Sequence, residues 1–300
     1  MRNSRGATVT VLLNRGGGTI SGDPEIADKV RTALRRAGIK STIEMVDGGS
    51  CETRSRAIAE RGDELLIVGG GDGSISAAAS AIAGMRTRLG ILPLGTLNHF
   101  ARDLGIPTDL DEAAYLISTR RDRQVDVGEL NGRLFINNSA VGLYPLMVVD
   151  RDLQRKRLGR SKRIAMLVAS ARTLARFNHQ RLTLTVNDQE ARIDTPLLFV
   201  GNNDYRIDFP QPGRRESLED GKLSVLVMRK KTRRGFVAAC VRAVLGRTRP
   251  DDMIRLDDVE RLRVDSHRTQ LKISVDGEVI RAAPPLDYSI RKGALWVIAP

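Results

Sequence analysis

Two short segments carry most of the chemistry that this chain could perform. In the first, the apolar run 65–68 leads into a glycine cluster that encloses Asp72 and ends at Ser74. Consecutive glycines let backbone N–H groups point at one anion, and a following helix adds the positive end of its dipole. The pattern is typical of a phosphate-binding loop, although an ordinary strand-to-helix turn is the alternative. A carboxylate would repel phosphate unless a cation or hydroxyl lay between them, which favours phosphoryl transfer over nucleotide storage.

The second segment, Pro93-Leu94-Gly95-Thr96-Leu97-Asn98, repeats this arrangement at the end of the next predicted strand. Thr96 could cap the following helix by accepting a bond from a free N–H, or it could bond a phosphate oxygen. Both roles stay open. Two common nucleotide motifs are absent. No Gly-Lys-Ser/Thr follows the glycine loop, and Ser76 stands where G-x-G-x-x-G requires its third glycine.

The elements that position both segments alternate between strand and helix. Predicted strands lie at 9–13, 42–46, 65–68 and 89–92, and predicted helices at 24–37, 52–61, 74–83, 97–104 and 109–119. Such alternation indicates a parallel, doubly wound sheet whose loops gather at the carboxyl ends of the strands. We therefore predict an α/β nucleotide-binding domain over residues 1–122.

Beyond residue 122 the pattern changes to short alternating strands. Asn131-Gly132 predicts a tight hairpin within 129–136. Further strands are predicted at 182–186, 191–193, 197–200, 223–228, 259–264, 271–275, 279–281 and 295–298, with helices at 161–177 and 236–245. The second domain, residues 123–300, is thus expected to be β-rich and mostly antiparallel. Its last strand could return to the first domain and pair with the sheet there.

Composition narrows the class of partner. The 49 Lys and Arg residues exceed the 36 Asp and Glu residues, giving a net charge of +13 that predicts an anionic partner. Aromatic residues make up only 4% and do not interleave with the charges, which argues against nucleic acid. Two cysteines favour a reducing compartment, and no apolar run reaches the roughly 20 residues of a membrane span. We expect a soluble, cytoplasmic protein that can contact a membrane surface.

Two stretches pair cations with apolar residues. The basic stretch 151–163 precedes the predicted helix 161–177, and the basic stretch 229–234 precedes the predicted helix 236–245. Each is either a solvated charged face or a helix that lies on an anionic membrane surface.

At the two loop segments the chain resembles the diacylglycerol-kinase-type lipid kinases. Gly70-Gly71-Asp72-Gly73-Ser74 is similar to their Gly-Gly-Asp-Gly-Thr/Ser loop, and residues 93–98 are similar to their second phosphate motif. Asn14 with the glycines at 16–18 sits where the family has a nucleotide loop. Three further motifs follow in the family's order: Asp126-Val127-Gly128, Asp220-Gly221 and Asp276-Gly277-Glu278.

The resemblance implies ATP-dependent, Mg²⁺-dependent phosphorylation of a lipid hydroxyl at an anionic membrane surface, in a cleft between the two domains. It places Asp72 beside the ATP phosphates and metal, and Asp276 or Glu278 as the base toward the lipid. Its nucleotide contacts fall on Asn14, Gly70, Gly71, Gly73, Ser74, Gly95, Thr96 and Asn98. Its separate structural Mg²⁺ site falls on Ser217, Asp220 and Lys222, mostly through backbone oxygens.

Three alternatives stay open. An NAD kinase shares the Gly-Gly-Asp-Gly loop but acts on a soluble nucleotide, and residues 93–98 argue against it. A catalytically silent membrane-surface protein would keep the loops and the charge without ATP turnover. Finally, Asp276-Gly277 is by itself a strong hairpin-turn signal, and Asp220-Gly221 has the same ambiguity.

Overall fold

The computed structural model describes residues 8–16, 20–143, 179–205, 215–230, 232–245, 247, 249 and 251–300. The chain forms two compact units. The first comprises Met1–Val127, Glu216–Glu219 and Arg291–Pro300, and the second comprises Gly128–Arg215 and Asp220–Ile290. The predicted basic stretch 151–163 and the predicted helix 161–177 lie outside the described residues.

A parallel sheet forms the centre of the first unit. Its strands run in the order β2-β1-β3-β4, with the end of β16 parallel to β4. Their bounds are Val9–Asn14 for β1, Ser41–Val46 for β2, Leu65–Gly70 for β3, Arg88–Pro93 for β4 and Leu286–Ile298 for β16. Every residue of β3 is buried, as expected for an interior strand whose two faces are both covered. The predicted α/β class is confirmed.

Helices α1 Ile26–Arg36, α2 Cys51–Glu60 and α3 Asp72–Ile82 connect β1 to β4 in turn, and α4 His99–Asp103 and α5 Leu110–Thr119 follow β4. Single 3₁₀ turns occur at Ile20–Gly22 and Gly48–Ser50. Helix α1 buries Val30, Ala33 and Leu34 on one face, at the spacing of an amphipathic helix. Helix α5 begins where the Asp109 side chain accepts a hydrogen bond from the Glu112 N–H at 3.0 Å.

The second unit is a β-sandwich. One sheet is antiparallel in the order β12-β11-β10-β7-β14-β15, and the opposing strands run β16-β13-β8-β9, while β5 pairs with β6. Apolar side chains from both layers, including Val225, Ile273, Leu184 and Leu262, form one buried core. Strand β5 Asp122–Leu130 begins in the first unit and ends in the second. The other strands of the second unit are β6 Arg133–Phe135, β7 Asn138–Gly142, β8 Gln180–Val186, β9 Gln189–Thr195, β10 Leu197–Asn202, β11 Leu223–Met228, β12 Met253–Val259, β13 Arg261–Asp265, β14 Leu271–Val275 and β15 Glu278–Ala282. The predicted antiparallel class is confirmed.

Several strands differ from the sequence prediction; β16, for example, begins nine residues before the predicted strand 295–298. Strand β7 was not predicted, because Asn, Ser and Gly have low strand propensity; its pairing with β10 on one side and β14 on the other fixes it. The predicted strand 259–264 is instead divided between β12 and β13. Asp258, at φ 56, turns the chain near the end of β12, and that strand begins six residues before Val259.

None of the described helices is both long and apolar enough to cross a bilayer.

A buried carboxylate anchors the last described helix, α6 Arg233–Val244. The Asp252 side chain is 1% exposed and accepts hydrogen bonds from Arg242 Nε at 2.9 Å and the Arg249 N–H at 3.1 Å, while Lys230 Nζ lies 3.4 Å away. Hydrogen bonds from Arg242 outweigh burial and hold the pKa of Asp252 well below its usual range. The helix is therefore tied to the segment that leads into β12.

We expect Asp252→Asn to lower the free energy of unfolding by about 1.5–3 kcal/mol at pH 7, because it removes charge from these hydrogen bonds. A carboxyl with a depressed native pKa stabilises the fold above its unfolded pKa of about 4, and that stabilisation is lost as pH falls toward the native pKa. The difference in free energy of unfolding between wild type and variant should therefore shrink as the pH falls from about 5 to 3, through the unfolded pKa. Urea unfolding followed by circular dichroism at each pH measures this difference. A gap that does not change with pH would contradict this role for the Asp252 charge.

Candidate functional site

Three strand ends of the first unit meet at one edge of the parallel sheet. Leu13 of β1 pairs with Gly69 of β3, and Gly70 of β3 pairs with Pro93 of β4. Because parallel strands in register end together, the loops after β1, β3 and β4 leave the sheet side by side. The structure thus brings together the described parts of the three segments that were predicted to bind nucleotide; Gly17 and Gly18 of the first segment lie outside the described residues.

A hydrogen bond joins the first loop to the second. Asn14 Nδ2 donates to Ser74 Oγ at 2.7 Å, and the Gly16 N–H donates to Asn14 Oδ1 at 3.0 Å. Ser74 is buried, so its hydroxyl lies within the unit and is not offered to solvent. In this structure the Asn14 amide and the Ser74 hydroxyl therefore position the two loops relative to each other.

The second and third loops approach so closely that glycine is required at the contact. A Cβ on Gly95 would overlap the Gly71 Cα and lie 2.6 Å from Asn98 Oδ1, and a Cβ on Gly70 would lie 2.8 Å from Ser74 Oγ. None of these glycines has a positive φ, so close packing and not a left-handed turn explains them. Gly73 differs, because a Cβ there would meet nothing within 4 Å.

Asn98 shapes the third loop from within. It has a φ of 50, and its side chain accepts from the Gly95 N–H at 3.0 Å and donates to the carbonyls of Pro93 at 3.1 Å and Gly95 at 2.9 Å. These bonds use both ends of a buried amide and start α4 at residue 99. The helix-cap interpretation of Thr96 was wrong, since Asn98 occupies the N-cap position and Thr96 is exposed.

Asp72 is the first residue of α3 and not a loop residue as predicted. Its Oδ1 accepts from the Phe100 N–H at 3.3 Å, which links the start of α3 to α4, and the residue is only partly buried. The first N–H groups of an α-helix lack partners within the helix and attract anions. This edge of the sheet therefore has N–H groups at the start of α3 that can donate to a phosphate. The Asp72 carboxylate lies beside them and can bind a cation.

Cys51 contacts the end of the glycine loop at Ser74. This buried thiol at the start of α2 donates to the Ser74 carbonyl at 3.5 Å. Burial raises its pKa to about 11, so the thiol is protonated at neutral pH. Sequence reasoning assigned Cys51 no place near the loop, because the contact joins residues from two different helices.

In the second unit, Asp276 occupies the tight turn between β14 and β15. Its carboxylate accepts three backbone hydrogen bonds, from the N–H groups of Ile136 at 2.9 Å, Asn137 at 2.9 Å and Asn138 at 3.0 Å. The hairpin interpretation of Asp276-Gly277 is what the structure shows. The Asp276 side chain also ties this hairpin to the segment between β6 and β7.

Glu278 differs from Asp276 in its surroundings. Its side chain is 67% exposed, and Oε2 lies 2.6 Å from Arg133 Nη2 on β6. Nothing in the local sequence indicates this pair, because its members lie 145 residues apart. Sequence reasoning therefore missed Arg133.

The residues predicted to form a structural magnesium site have other partners here. Ser217 Oγ accepts from the Glu219 N–H at 3.0 Å, while the Lys222 carbonyl accepts from the Asn203 N–H at 3.0 Å. Lys222 Nζ pairs with Asp258 at 2.8 Å, and Asp220 is exposed. In the described part of the chain no three His, Cys, Asp or Glu side chains cluster as metal ligands. The site from backbone oxygens stays a prediction.

Comparison with known proteins identifies the class. Residues 8–130 match the diacylglycerol kinase catalytic domain, and residues 147–299 match the YegS C-terminal NAD kinase beta sandwich-like domain. A diacylglycerol kinase of Bacillus subtilis (strain 168) is 26% identical over 254 residues, covering 83% of each chain, and one of Staphylococcus saprophyticus is 25% identical over 248 residues, covering 82% of this chain and 80% of that protein. The chain therefore belongs to the diacylglycerol-kinase-type family of lipid kinases. It is an enzyme of that class.

Solved structures show the same fold. A crystal structure of a candidate diacylglycerol kinase from Bacillus anthracis str. Sterne superposes with a TM-score of 0.77 at 23% identity, covering 98% of this chain and 97% of that one. Yeast NADH kinase complexed with NADH shares the fold more distantly, with a TM-score of 0.53 at 12% identity over 100% of this chain and 88% of that one.

We expect Gly95→Ala to lower the melting temperature and weaken nucleotide binding, because the new methyl group would push the second and third loops apart. Gly73→Ala is the matched control for stability, since its methyl group enters open space within a helix that favours alanine. Thermal unfolding of both variants measures the effect. Equal melting temperatures for the two variants would show that the loops adjust without cost.

Proposed function

We propose that this chain transfers the terminal phosphoryl group of ATP to the hydroxyl of a lipid, either a diacylglycerol-like or a sphingoid acceptor, in a Mg²⁺-dependent reaction. The observation that supports this most is the convergence of the loops after β1, β3 and β4 beside Asp72. Family membership supports the lipid kinase class, and the acceptor is part of the proposal.

The geometry suits phosphoryl transfer, in which positioning and charge stabilisation do most of the catalytic work. Backbone N–H groups at the start of α3 would receive the phosphate oxygens, and the exposed Thr96 hydroxyl could add a further hydrogen bond. Mg²⁺ is usually held by one or two carboxylates together with substrate phosphates, so the single carboxylate Asp72 fits that mode of binding. When bound, the ion would neutralise phosphate charge that Asp72 alone would repel.

Of the two carboxylates in the second unit, we assign the base role to Glu278. Both Asp276 oxygens already accept backbone hydrogen bonds, so this carboxylate acts as a structural anchor for the turn. Glu278 follows it by two residues, is exposed, and is held by one arginine. An exposed carboxylate can accept the proton of an incoming hydroxyl when the substrate brings that hydroxyl within hydrogen-bond reach.

A soluble nucleotide kinase is the second candidate. The C-terminal family, whose description names an NAD kinase-like sandwich, matches residues 147–299 and keeps this class as the rival. Yeast NADH kinase shares the fold only distantly. The family of the N-terminal half and the segment 93–98 favour the lipid. A silent nucleotide-binding protein would bind ATP without turnover.

A lipid acceptor also implies a place of action. We propose that the protein works in the cytoplasm, at the inner face of the membrane, where its net charge of +13 would favour anionic lipids. We do not propose nucleic acid as a partner.

We expect ADP release from ATP with a lipid acceptor in detergent micelles, and Asp72→Asn should reduce it by at least about 10²-fold. The fold should persist, because the carbonyl oxygen of the substituted side chain can still accept from the Phe100 N–H. A screen over diacylglycerol, ceramide, sphingosine, phosphatidylglycerol and NAD measures turnover, with the exposed Asp28→Asn as the matched control. Turnover with NAD alone would favour the soluble kinase, and ATP binding without turnover would favour the silent protein. Near-normal turnover by folded Asp72→Asn would refute the site.

Asp276 should stabilise the fold, whereas Glu278 should act in catalysis. Asp276→Ala leaves three backbone N–H groups without their acceptor and should lower the free energy of unfolding by about 2–4 kcal/mol. Glu278→Gln should leave stability unchanged and lower kcat by about 10²–10⁴-fold. Urea unfolding and steady-state kinetics measure the pair. Full activity in Glu278→Gln would remove it as the base.

A further inference from the structure

Helix α6 carries an apolar stripe of three exposed side chains, Val237, Val241 and Leu245, which are 37%, 51% and 62% exposed. They follow one another at intervals of four residues, and so lie within an arc of about 80° around the helix axis. The Leu245 N–H donates to the Val241 carbonyl at 3.0 Å, which continues the helical pattern to the end of the stripe. Ala239, on the opposite side of the helix, is buried.

Cations lie at both ends of this apolar stripe. Residues 229–250 contain eight Lys and Arg residues and no Asp or Glu. Arg233 and Arg234 are exposed where α6 begins, and Arg247 and Arg249 are exposed just after it ends. The buried Asp252 is already matched by Arg242 and Lys230. With the exposed Asp251 and the buried Asp252 included, segment 229–252 still has eight cations against two carboxylates, a net charge of +6.

The orientation of the stripe is fixed. Arg242 lies on the flank of α6 and is bound to Asp252, which is itself buried, so the helix cannot easily roll its apolar face inward. Three aliphatic side chains held toward solvent cost free energy unless another surface covers them.

We propose that the apolar stripe and the arginines at its ends form a docking surface for an anionic lipid bilayer. Aliphatic side chains can enter the acyl boundary while arginines at the same level meet lipid phosphates. The chemistry fits a bilayer better than nucleic acid, since the stripe offers no aromatic ring for base stacking. The inference rests on the proposed function, because an enzyme whose acceptor is held in a bilayer must reach that bilayer.

Co-sedimentation with vesicles tests the surface. Wild type should bind phosphatidylglycerol vesicles, bind phosphatidylcholine vesicles weakly, and lose affinity as salt rises. The double variant Val241→Ser with Leu245→Ser should lose affinity at least about tenfold. Tyr115→Ser is the matched control, since Tyr115 is also exposed, at 68%, but lies on α5 of the first unit. Equal binding by wild type and the double variant would overturn the proposal.

Single-charge variants separate local from overall electrostatics. Arg234→Gln should weaken binding to anionic vesicles about fivefold. Arg35→Gln removes the same charge from an exposed position on α1 and should change binding less than about twofold. Equal losses in both variants would show that only net charge matters, which would overturn the assignment to α6.

A tryptophan reporter keeps the test informative if the serine variant folds poorly. Val241→Trp should shift its fluorescence emission to shorter wavelength when phosphatidylglycerol vesicles are added, after subtraction of the signal from Trp296, the protein's single tryptophan. Tyr115→Trp should show no shift. A Val241→Trp emission that vesicles leave unchanged would overturn the proposal.

Kinase assays in detergent micelles distinguish this inference from the proposed function. Loss of vesicle binding in the double variant with normal micelle activity supports docking by α6. Vesicle binding through the stripe in a protein that phosphorylates none of the acceptors would refute the proposed function and leave the docking surface standing. Self-association through the stripe, seen by analytical ultracentrifugation and lost in the double variant without any vesicle binding, would overturn the membrane assignment.

Discussion

The contact between Gly71 and Gly95 is the constraint on which the rest of the first unit's site depends. Parallel pairing brings the ends of β3 and β4 together, and the two loops then touch through backbone atoms with no room for a Cβ at Gly95. That proximity brings the start of α3 beside α4, where the Asp72 side chain accepts from the Phe100 N–H. The bonds of Asn98 to Pro93 and Gly95 hold the third loop in the shape that this contact requires. A wider separation would disperse the N–H donors that a phosphate requires.

Polar side chains in both units are used largely to hold backbone in place. Asn14 and Ser74 join two loops in the first unit, while Asp276 in the second unit binds three consecutive N–H groups of a distant segment. Asp252 does the same for the start of β12 and for α6. Such bonds restrict the conformations that the loops can adopt, and preorganised donors are more effective in catalysis than donors that must reorganise. Thr96 and Glu278 are instead exposed, and the proposed function assigns them contacts with substrate.

The sequence was sufficient for the fold class and for the location of the glycine loops, because strand periodicity and glycine clusters are local signals. It was not sufficient for the reason behind the glycines: the closeness of Gly71 and Gly95 depends on how β3 and β4 pair. Strand β7 was missed because its neighbours and not its propensities determine it. The partners of Asp276 and Glu278 lie 140 and 145 residues away along the chain, beyond the range of any local pattern. The roles of Ser217, Asp220 and Lys222 as magnesium ligands stay predictions.

Hydrogen–deuterium exchange with and without a non-hydrolysable ATP analogue and Mg²⁺ tests most directly whether the three loops form the nucleotide site. We expect slower exchange in peptides that cover residues 14–16, 71–75 and 95–100, since bound phosphates would protect N–H groups at this edge of the sheet. The second unit's β8–β9 hairpin, far from these loops in sequence, serves as the internal reference. Saturating nucleotide that leaves exchange in all three loops unchanged, while protecting another region, would contradict the assignment of the nucleotide site to these loops.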